Sequence, residues 1–175
     1  KIIRGGDLRK TRLHDEKGHL VSCAGLKNAP FAIISGLSRV VLKINPKIPW
    51  ISYNAIRKIE SLIQSDWQIV EFGSGTSTRW FAQRCHTLYS IEDNPQWFDY
   101  VSRELKHEGH NNVVFKLQSA DDYSDLSALE EASIDFALVD GLRRADCMRE
   151  VIPKIKPGGY IYLDNSDKFA DDPNG

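Results

Sequence analysis

Two short segments of the chain, one with two glycines and one with a carboxylate, have the residue types and spacing of a ligand-binding site. Gly73 and Gly75 lie in the segment E-F-G-S-G-T-S-T, where the lack of side chains lets a ligand approach the backbone closely. Glu92 begins the segment E-D-N, 19 residues beyond Gly73. A carboxylate at this spacing can accept hydrogen bonds from both hydroxyls of a ribose, so the two segments predict a nucleoside site.

The glycine segment departs from a dinucleotide-binding loop. Such a loop has the form G-x-G-x-x-G, in which the third glycine lets a helix pack close under a pyrophosphate, and this chain has Thr78 at that position. Glu71, just before the first glycine, adds a carboxylate suited to a cationic group. The combination favours a nucleoside with a positive charge nearby.

The elements that must position these residues alternate along the chain. Short apolar runs predict buried strands, and amphipathic stretches predict helices between them. Five strand and helix alternations with right-handed crossovers predict a Rossmann-like α/β fold, a mostly parallel sheet with helices on both faces. The predicted strands are 68–72, 87–91, 112–117, 134–139 and 160–163, the last entered through a turn at 156–159, and the predicted helices are 78–84, 95–107 capped by Asn94, 126–131 and 145–155.

The chain is predicted to contain an N-terminal helical extension, residues 1–49, and one nucleoside-binding domain, residues 50–175. Apolar spacings predict an amphipathic helix within 31–44 and a second one from Tyr53 to Ile63, with Ser52 as its cap. The chain does not start with Met, and only 12 residues follow Leu163. We therefore expect a fragment.

Composition excludes several other classes of protein. The 23 Lys and Arg residues balance 24 Asp and Glu residues, which argues against a non-specific nucleic-acid binder. The 3 cysteines form no C-x-x-C pair, which argues against a disulfide framework or zinc module and indicates a reducing, cytoplasmic location. Charged residues and prolines interrupt the longest apolar region, so no transmembrane segment is expected. The oligomeric state is open.

The chain resembles the class I S-adenosylmethionine-dependent methyltransferases over about residues 67–167. The resemblance rests on E-F-G-S-G-T-S, S-I-E-D-N, S-A-D-D, V-D-G and K-I-K-P-G-G-Y, in this order on the strand and helix alternation. It implies that Glu71 and residues 73–77 hold the methionine part, that Glu92 binds the ribose and that Asp140 lies beside the sulfonium. The full implied cofactor set is Glu71, Gly73, Ser74, Gly75, Thr76, Ser77, Glu92, Asp93, Ala120, Asp121 and Asp140. The resemblance also implies that the C-terminal strands are missing, because a helix and an antiparallel hairpin complete the seven-stranded sheet of this family and the 12 residues after Leu163 are too few to form them.

Two of these assignments leave alternatives open. Ala120 and Asp121 are expected to flank the adenine, although Asp121 could equally cap a helix. Trp97 could pack on the adenine, but the spacing of Trp97, Phe98 and Val101 favours a core-facing helix.

The sequence contains a candidate magnesium site but does not favour it. Asp140, Asp164 and Asn165 follow strands and resemble the magnesium triad of catechol-type O-methyltransferases. That group has a lysine three positions after the first aspartate, where this chain has Arg143. Arginine is too basic to accept a proton, and it would repel a dication unless it points away. The alternative is that the acidic cluster through Asp167 only caps and solvates a loop.

The sequence therefore predicts a methyltransferase whose acceptor is unknown, with O-methylation of a small molecule or glycan slightly favoured. Asp140 is the candidate catalytic base, and Asp167, His14 and His19 are alternatives. The competing functions are a non-catalytic nucleoside-binding module, an NAD-dependent oxidoreductase and aminopropyl transfer from decarboxylated S-adenosylmethionine.

Overall fold

A computed structural model of the chain describes residues 48–164. These residues fall into two units, 48–61 and 62–164. The predictions for the helix within 31–44, and for His14, His19, Asn165 and Asp167, lie outside the described residues. The predicted domain boundary at residue 50 stays a prediction.

The first unit contains one helix, α1 (Tyr53–Glu60). Ser52 begins it, because the Ser52 hydroxyl accepts a hydrogen bond from the Ala55 backbone N–H at 3.1 Å. Ile56 and Ile59, three residues apart, are buried. The predicted helix and its cap are confirmed, but the helix ends at Glu60, before the predicted Leu62 and Ile63.

The second unit is a sheet of five parallel strands in the order β3-β2-β1-β4-β5. Its elements in chain order are β1 (Gln68–Phe72), α2 (Thr76–Ala82), β2 (Thr87–Glu92), α3 (Pro95–His107), β3 (Val113–Leu117), β4 (Ile134–Val139), α4 (Arg144–Val151), a 3-10 turn (Ile152–Lys154) and β5 (Ile155–Leu163). The predicted Rossmann-like parallel sheet is confirmed.

The strand order places a switch point between β1 and β4. The chain moves outward from β1 to β2 and β3, then returns to β4 on the other side of β1 and continues to β5. Right-handed crossovers in opposite directions put α2 and α3 on one face of the sheet and α4 on the other. The loops after β1 and β4 therefore leave the carboxyl edge toward opposite faces of the sheet, at the point where open parallel sheets bind ligands.

Burial follows the strands, since both faces of the central strands are covered. Ile69, Val70 and Phe72 of β1 are fully buried, as are most side chains of β4. These apolar runs are typical of parallel strands buried on both faces. The buried Arg79 of α2 is neutralised by ion pairs with Glu104 of α3 and with Glu108, the residue that follows α3.

Three predictions about individual elements are wrong. The helix in the glycine segment begins at Thr76 rather than at residue 78. Residues 126–131 form turns instead of a helix, although Leu126 is buried, so an apolar side chain there reflects burial and not helical periodicity. The predicted turn at 156–159 is part of β5, where the pairing shifts from Ile134 with Ile155 to Phe136 with Tyr160. Gly158, at φ +85, lies within this irregularity.

Two further findings concern the described part of the chain. Cys85 and Cys147 are free and buried. None of the helices within residues 48–164 has the length and apolar character needed to cross a membrane.

Candidate functional site

The glycine loop after β1 requires glycine for backbone reasons. Gly73 has φ +92, a conformation that side-chain-bearing residues rarely adopt. A Cβ built on Gly73 would lie 3.0 Å from the Cα and N of Gly141, in the loop after β4. The two loops therefore touch backbone to backbone at the switch point, and neither has room for a side chain between them.

Glu92 ties the glycine loop to the end of β2. Its Oε2 accepts hydrogen bonds from the backbone N–H of Ser74 at 3.1 Å and from the Ser74 hydroxyl at 2.7 Å. Its Oε1 accepts from the backbone N–H groups of Asp93 and Asn94 at 3.1 and 2.9 Å. Glu92 is 6% exposed, so the charge sits in the site and is stabilised by four donors. Burial, followed by the charge of Glu92, raises the pKa of neighbouring Asp93.

Glu71 lies beneath the glycine loop and not on its surface. The side chain is fully buried, and its Oε2 accepts hydrogen bonds from the Thr78 and Ser90 hydroxyls at 2.6 and 2.7 Å. Its Oε1 has no hydrogen-bond partner among the described residues. Burial raises the pKa of Glu71 to about 7, and the hydroxyls of Ser77, Thr78 and Ser90 partly offset that rise.

Thr78 explains why this chain does without the third glycine. Its hydroxyl donates to Glu71 and accepts from the backbone N–H of Gly75 at 2.8 Å. The side chain is buried and fills the space in which a dinucleotide-binding loop would keep a glycine. The Thr78 hydroxyl, in the first turn of α2, therefore links the glycine loop to Glu71 of β1 through hydrogen bonds.

Asp140 ends β4 beside a second carboxylate. Burial, and then the charge of Asp164, raises the pKa of Asp140 to about 7, while Arg144 opposes the shift. Asp164 is buried, and its Oδ1 accepts a hydrogen bond from the Tyr162 hydroxyl at 3.2 Å. The structure therefore brings together Asp140 and Asp164, two of the three candidate cation ligands.

Arg144, and not Arg143, supplies the positive charge at this position. The Arg144 guanidinium donates to Oδ1 of Asp140 at 3.1 Å, to the Asp164 carbonyl at 2.7 Å and to the Gly141 carbonyl at 3.2 Å. Arg143 points away, donating to Asp146 and to the carbonyls of Ala120 and Asp121. Arg143 therefore does not place its charge beside Asp140, and helical spacing could not have indicated Arg144, because Asp140 lies before α4.

Ala120 and Asp121 are exposed on the loop after β3. The guanidinium of Arg143 holds this loop to the one after β4 through their carbonyls, at 3.1 and 3.3 Å. No helix follows Asp121 within residues 118–133, so helix capping does not explain it. The adenine-flanking assignment stays a prediction.

The sequence analysis did not single out Tyr123, and the core position that it favoured for Trp97 is wrong. Trp97, expected to face the core, is 42% exposed, and its indole N–H donates to the Ser74 carbonyl at 2.8 Å. Tyr123 is fully buried, with its hydroxyl so close to Gly141 that a Cβ there would lie 1.9 Å away. Among the described residues, no group of three or more His, Cys, Asp or Glu is placed to hold a metal ion.

Comparisons with known proteins identify the family and the fold. A family model described as a methyltransferase domain matches residues 70–166. No curated protein sequence matches the chain.

Three solved structures show the same fold. Precorrin 8W decarboxylase from Methanobacterium thermoautotrophicum is 24% identical, with a TM-score of 0.54 over 68% of this chain and 66% of that one. An rRNA methylase from Streptococcus thermophilus is 14% identical, with a TM-score of 0.54 over 70% of this chain and 78% of that one. Phosphoethanolamine N-methyltransferase 1 from Haemonchus contortus, solved with phosphoethanolamine and S-adenosylhomocysteine, is 18% identical, with a TM-score of 0.51 over 61% and 24% of the two chains.

This chain spans 66% of the first of these proteins and 24% of the third. The similarity to these structures shows the fold alone, whereas the match of the family model shows the family. The chain belongs to the methyltransferase-domain family and has the parallel sheet of the class I S-adenosylmethionine-dependent methyltransferases.

Proposed function

We propose that the chain binds S-adenosylmethionine at the carboxyl edge of the sheet and is the methyl-transferring part of a methyltransferase. The observation that carries the proposal is the buried Glu92 carboxylate, hydrogen-bonded to Ser74 of the two-glycine loop beside the switch point. A nucleoside needs a fixed carboxylate for its ribose and bare backbone for close approach, and both are present here.

The residues present fit such a cofactor. The donors from Ser74, Asp93 and Asn94 fill the roughly four acceptor sites of the Glu92 carboxylate. The Ser74 hydroxyl can rotate away, which frees a site for a ribose hydroxyl while the three backbone donors keep the carboxylate in place. Below the loop, Oε1 of Glu71 has no hydrogen-bond partner among the described residues, so a cationic methionine part bound above it would favour the ionised form of this carboxyl group.

When bound, the cofactor supplies an electrophilic methyl group on a sulfonium. The chain then has to align an acceptor with that methyl and exclude water. For the acceptor we propose a hydroxyl group of a small molecule or glycan, with Asp140 as the group that removes its proton. A carboxylate whose pKa is raised to about 7 suits general-base work near neutral pH.

Two observations weigh against the competing functions. Thr78 fills the position of the third glycine, which disfavours the pyrophosphate of NAD. The raised pKa of Asp140 is a feature that a non-catalytic module would not need. Aminopropyl transfer would use a similar nucleoside site and is separated from methyl transfer by its substrate, decarboxylated S-adenosylmethionine.

The test is calorimetric titration with S-adenosylmethionine, S-adenosylhomocysteine and NAD. We expect the first two to bind and NAD not to bind. Glu92→Ala should weaken S-adenosylhomocysteine binding by about 1–3 kcal/mol, because hydrogen bonds to a charged group are lost. The matched control is Glu131→Ala, which removes an exposed carboxylate from the loop before β4.

Unchanged affinity in Glu92→Ala would defeat the assignment of the site. Binding of NAD in place of S-adenosylhomocysteine would favour the oxidoreductase. An acceptor screen with a longer chain follows, and methyl transfer to any hydroxyl acceptor would exclude the non-catalytic module.

A further inference from the structure

Trp97 lies in an unusual position for a large aromatic residue. It stands in the first turn of α3, yet its indole reaches back to the glycine loop and donates to the Ser74 carbonyl at 2.8 Å. Its ring also borders the next residue, since a Cβ on Gly75 would lie 3.9 Å from a ring carbon. Because 42% of the residue stays exposed, burial of the ring alone does not account for this orientation.

Ser74 connects this indole to Glu92. The Ser74 carbonyl accepts from Trp97, while the Ser74 backbone N–H and hydroxyl both donate to Oε2 of Glu92. The peptide groups on both sides of Ser74 are thereby fixed, one by the indole and the other by the carboxylate. Trp97, Ser74 and Glu92 form a continuous hydrogen-bonded chain across the loops after β1 and β2.

We propose that Trp97 is a positioning residue for the nucleoside site, acting through Ser74 to hold Glu92 in the orientation that a ribose requires. The inference rests on the proposed function and deepens it. A loop that is already ordered loses less conformational freedom when ligand binds, so the indole N–H contributes to affinity without needing to touch the ligand.

The first experiment measures S-adenosylhomocysteine affinity in Trp97→Phe, which keeps an aromatic ring but removes the N–H donor. We expect the Kd to rise about tenfold, the loss of one effective hydrogen bond. The matched control is Trp67→Phe, because Trp67 precedes β1 at the opposite end of that strand and stacks on Tyr160 at 6.2 Å. The control should bind as the wild type does, and thermal unfolding should show that both variants remain folded.

The second experiment separates positioning from direct contact. Trp97→Phe is combined with Glu92→Gln, which retains a side chain able to bind ligand weakly. If Trp97 acts through Glu92, its substitution should cost much less than tenfold in the Glu92→Gln background. A full tenfold loss in both backgrounds would overturn the inference and indicate direct contact with the ligand.

The outcomes also distinguish this inference from the function on which it rests. Failure of the wild-type chain to bind S-adenosylhomocysteine would defeat the proposed function. Wild-type binding together with unchanged affinity in Trp97→Phe would defeat only the positioning role.

Discussion

At the residue scale, the acidic edge of the sheet is organised around Arg144. Its guanidinium donates to the Asp140 carboxylate and to the carbonyls of Gly141 and Asp164, which links the loops after β4 and β5. A fixed guanidinium beside these carboxylates offsets their mutual repulsion. The same charge disfavours a divalent cation at this position.

We predict that magnesium does not stabilise the wild-type chain and that EDTA leaves S-adenosylhomocysteine binding unchanged. In Arg144→Met, Asp140 loses its ion pair and Asp164 loses the hydrogen bond to its carbonyl, so the variant should unfold at a lower temperature. Millimolar magnesium should then partly restore it. The measurement is thermal unfolding with magnesium or EDTA, and Arg149→Met, which removes an exposed arginine of α4, is the control.

Stabilisation of the wild type by magnesium, reversed by EDTA, would contradict this prediction. That result would instead support a metal-assisted site formed by Asp140 and Asp164. Methyl transfer measured under the same conditions would show whether the ion takes part in catalysis.

At the element scale, the site depends on how closely the loop after β1 approaches the loop after β4. Gly73 and Gly109 both adopt positive φ, at +92 and +74. Only Gly73 faces a neighbouring backbone, that of Gly141 at 3.0 Å, whereas a Cβ at Gly109 would meet nothing within 4 Å. Comparing the two positions separates the strain of positive φ from the contact between loops.

We predict that Gly73→Ala destabilises the chain more than Gly109→Ala. Both substitutions cost about 1–2 kcal/mol for a left-handed backbone, and Gly73→Ala adds a clash that a backbone neighbour cannot relieve by changing rotamer. Urea unfolding of both variants measures the difference. Equal destabilisation would show that the loops are free to separate.

At the scale of the whole molecule, a carboxyl group buried in the core couples folding to pH. Burial raises the pKa of Glu71 from 4.5 to about 7. Between pH 4.5 and about 7, the folded chain therefore keeps a proton on Glu71 that the unfolded chain releases. The contribution to stability is fully present below pH 4.5 and is lost as the pH rises through about 7.

We predict that Glu71→Gln removes part of this pH dependence. The amide oxygen can accept from Thr78 and Ser90 as the carboxylate does, and the amide carries no charge to desolvate. Between pH 4.5 and 8, the variant should gain stability relative to the wild type by up to about 3 kcal/mol, while Asp140 still titrates in both. Denaturant unfolding across this range is the measurement, and parallel curves for the two proteins would contradict the prediction.

The sequence by itself determined most of the elements and some of the residues at which they begin or end. Apolar runs gave β1 and β4 their observed bounds, and Asn94 followed by Pro95 marked the start of α3. Those signals are local, because an apolar run and a helix cap each consist of residues that are neighbours in the sequence. The glycines and Glu92 were also readable, since close backbone approach and a strand-terminal carboxylate require particular residue types.

Only the tertiary structure decided which side chains face one another across the loops. The exposure of Trp97 and its bond to Ser74 depend on residues 23 positions apart, which no helical periodicity records. The orientation of Arg144 toward Asp140 follows from Arg143 at φ +46, which turns the chain at the start of α4 and directs the two arginines to different loops. Residues 126–131 show the same limit, because Leu126 is buried by the fold while the segment around it forms turns. Burial in this chain depends on contacts between distant segments, and local sequence patterns record only part of it.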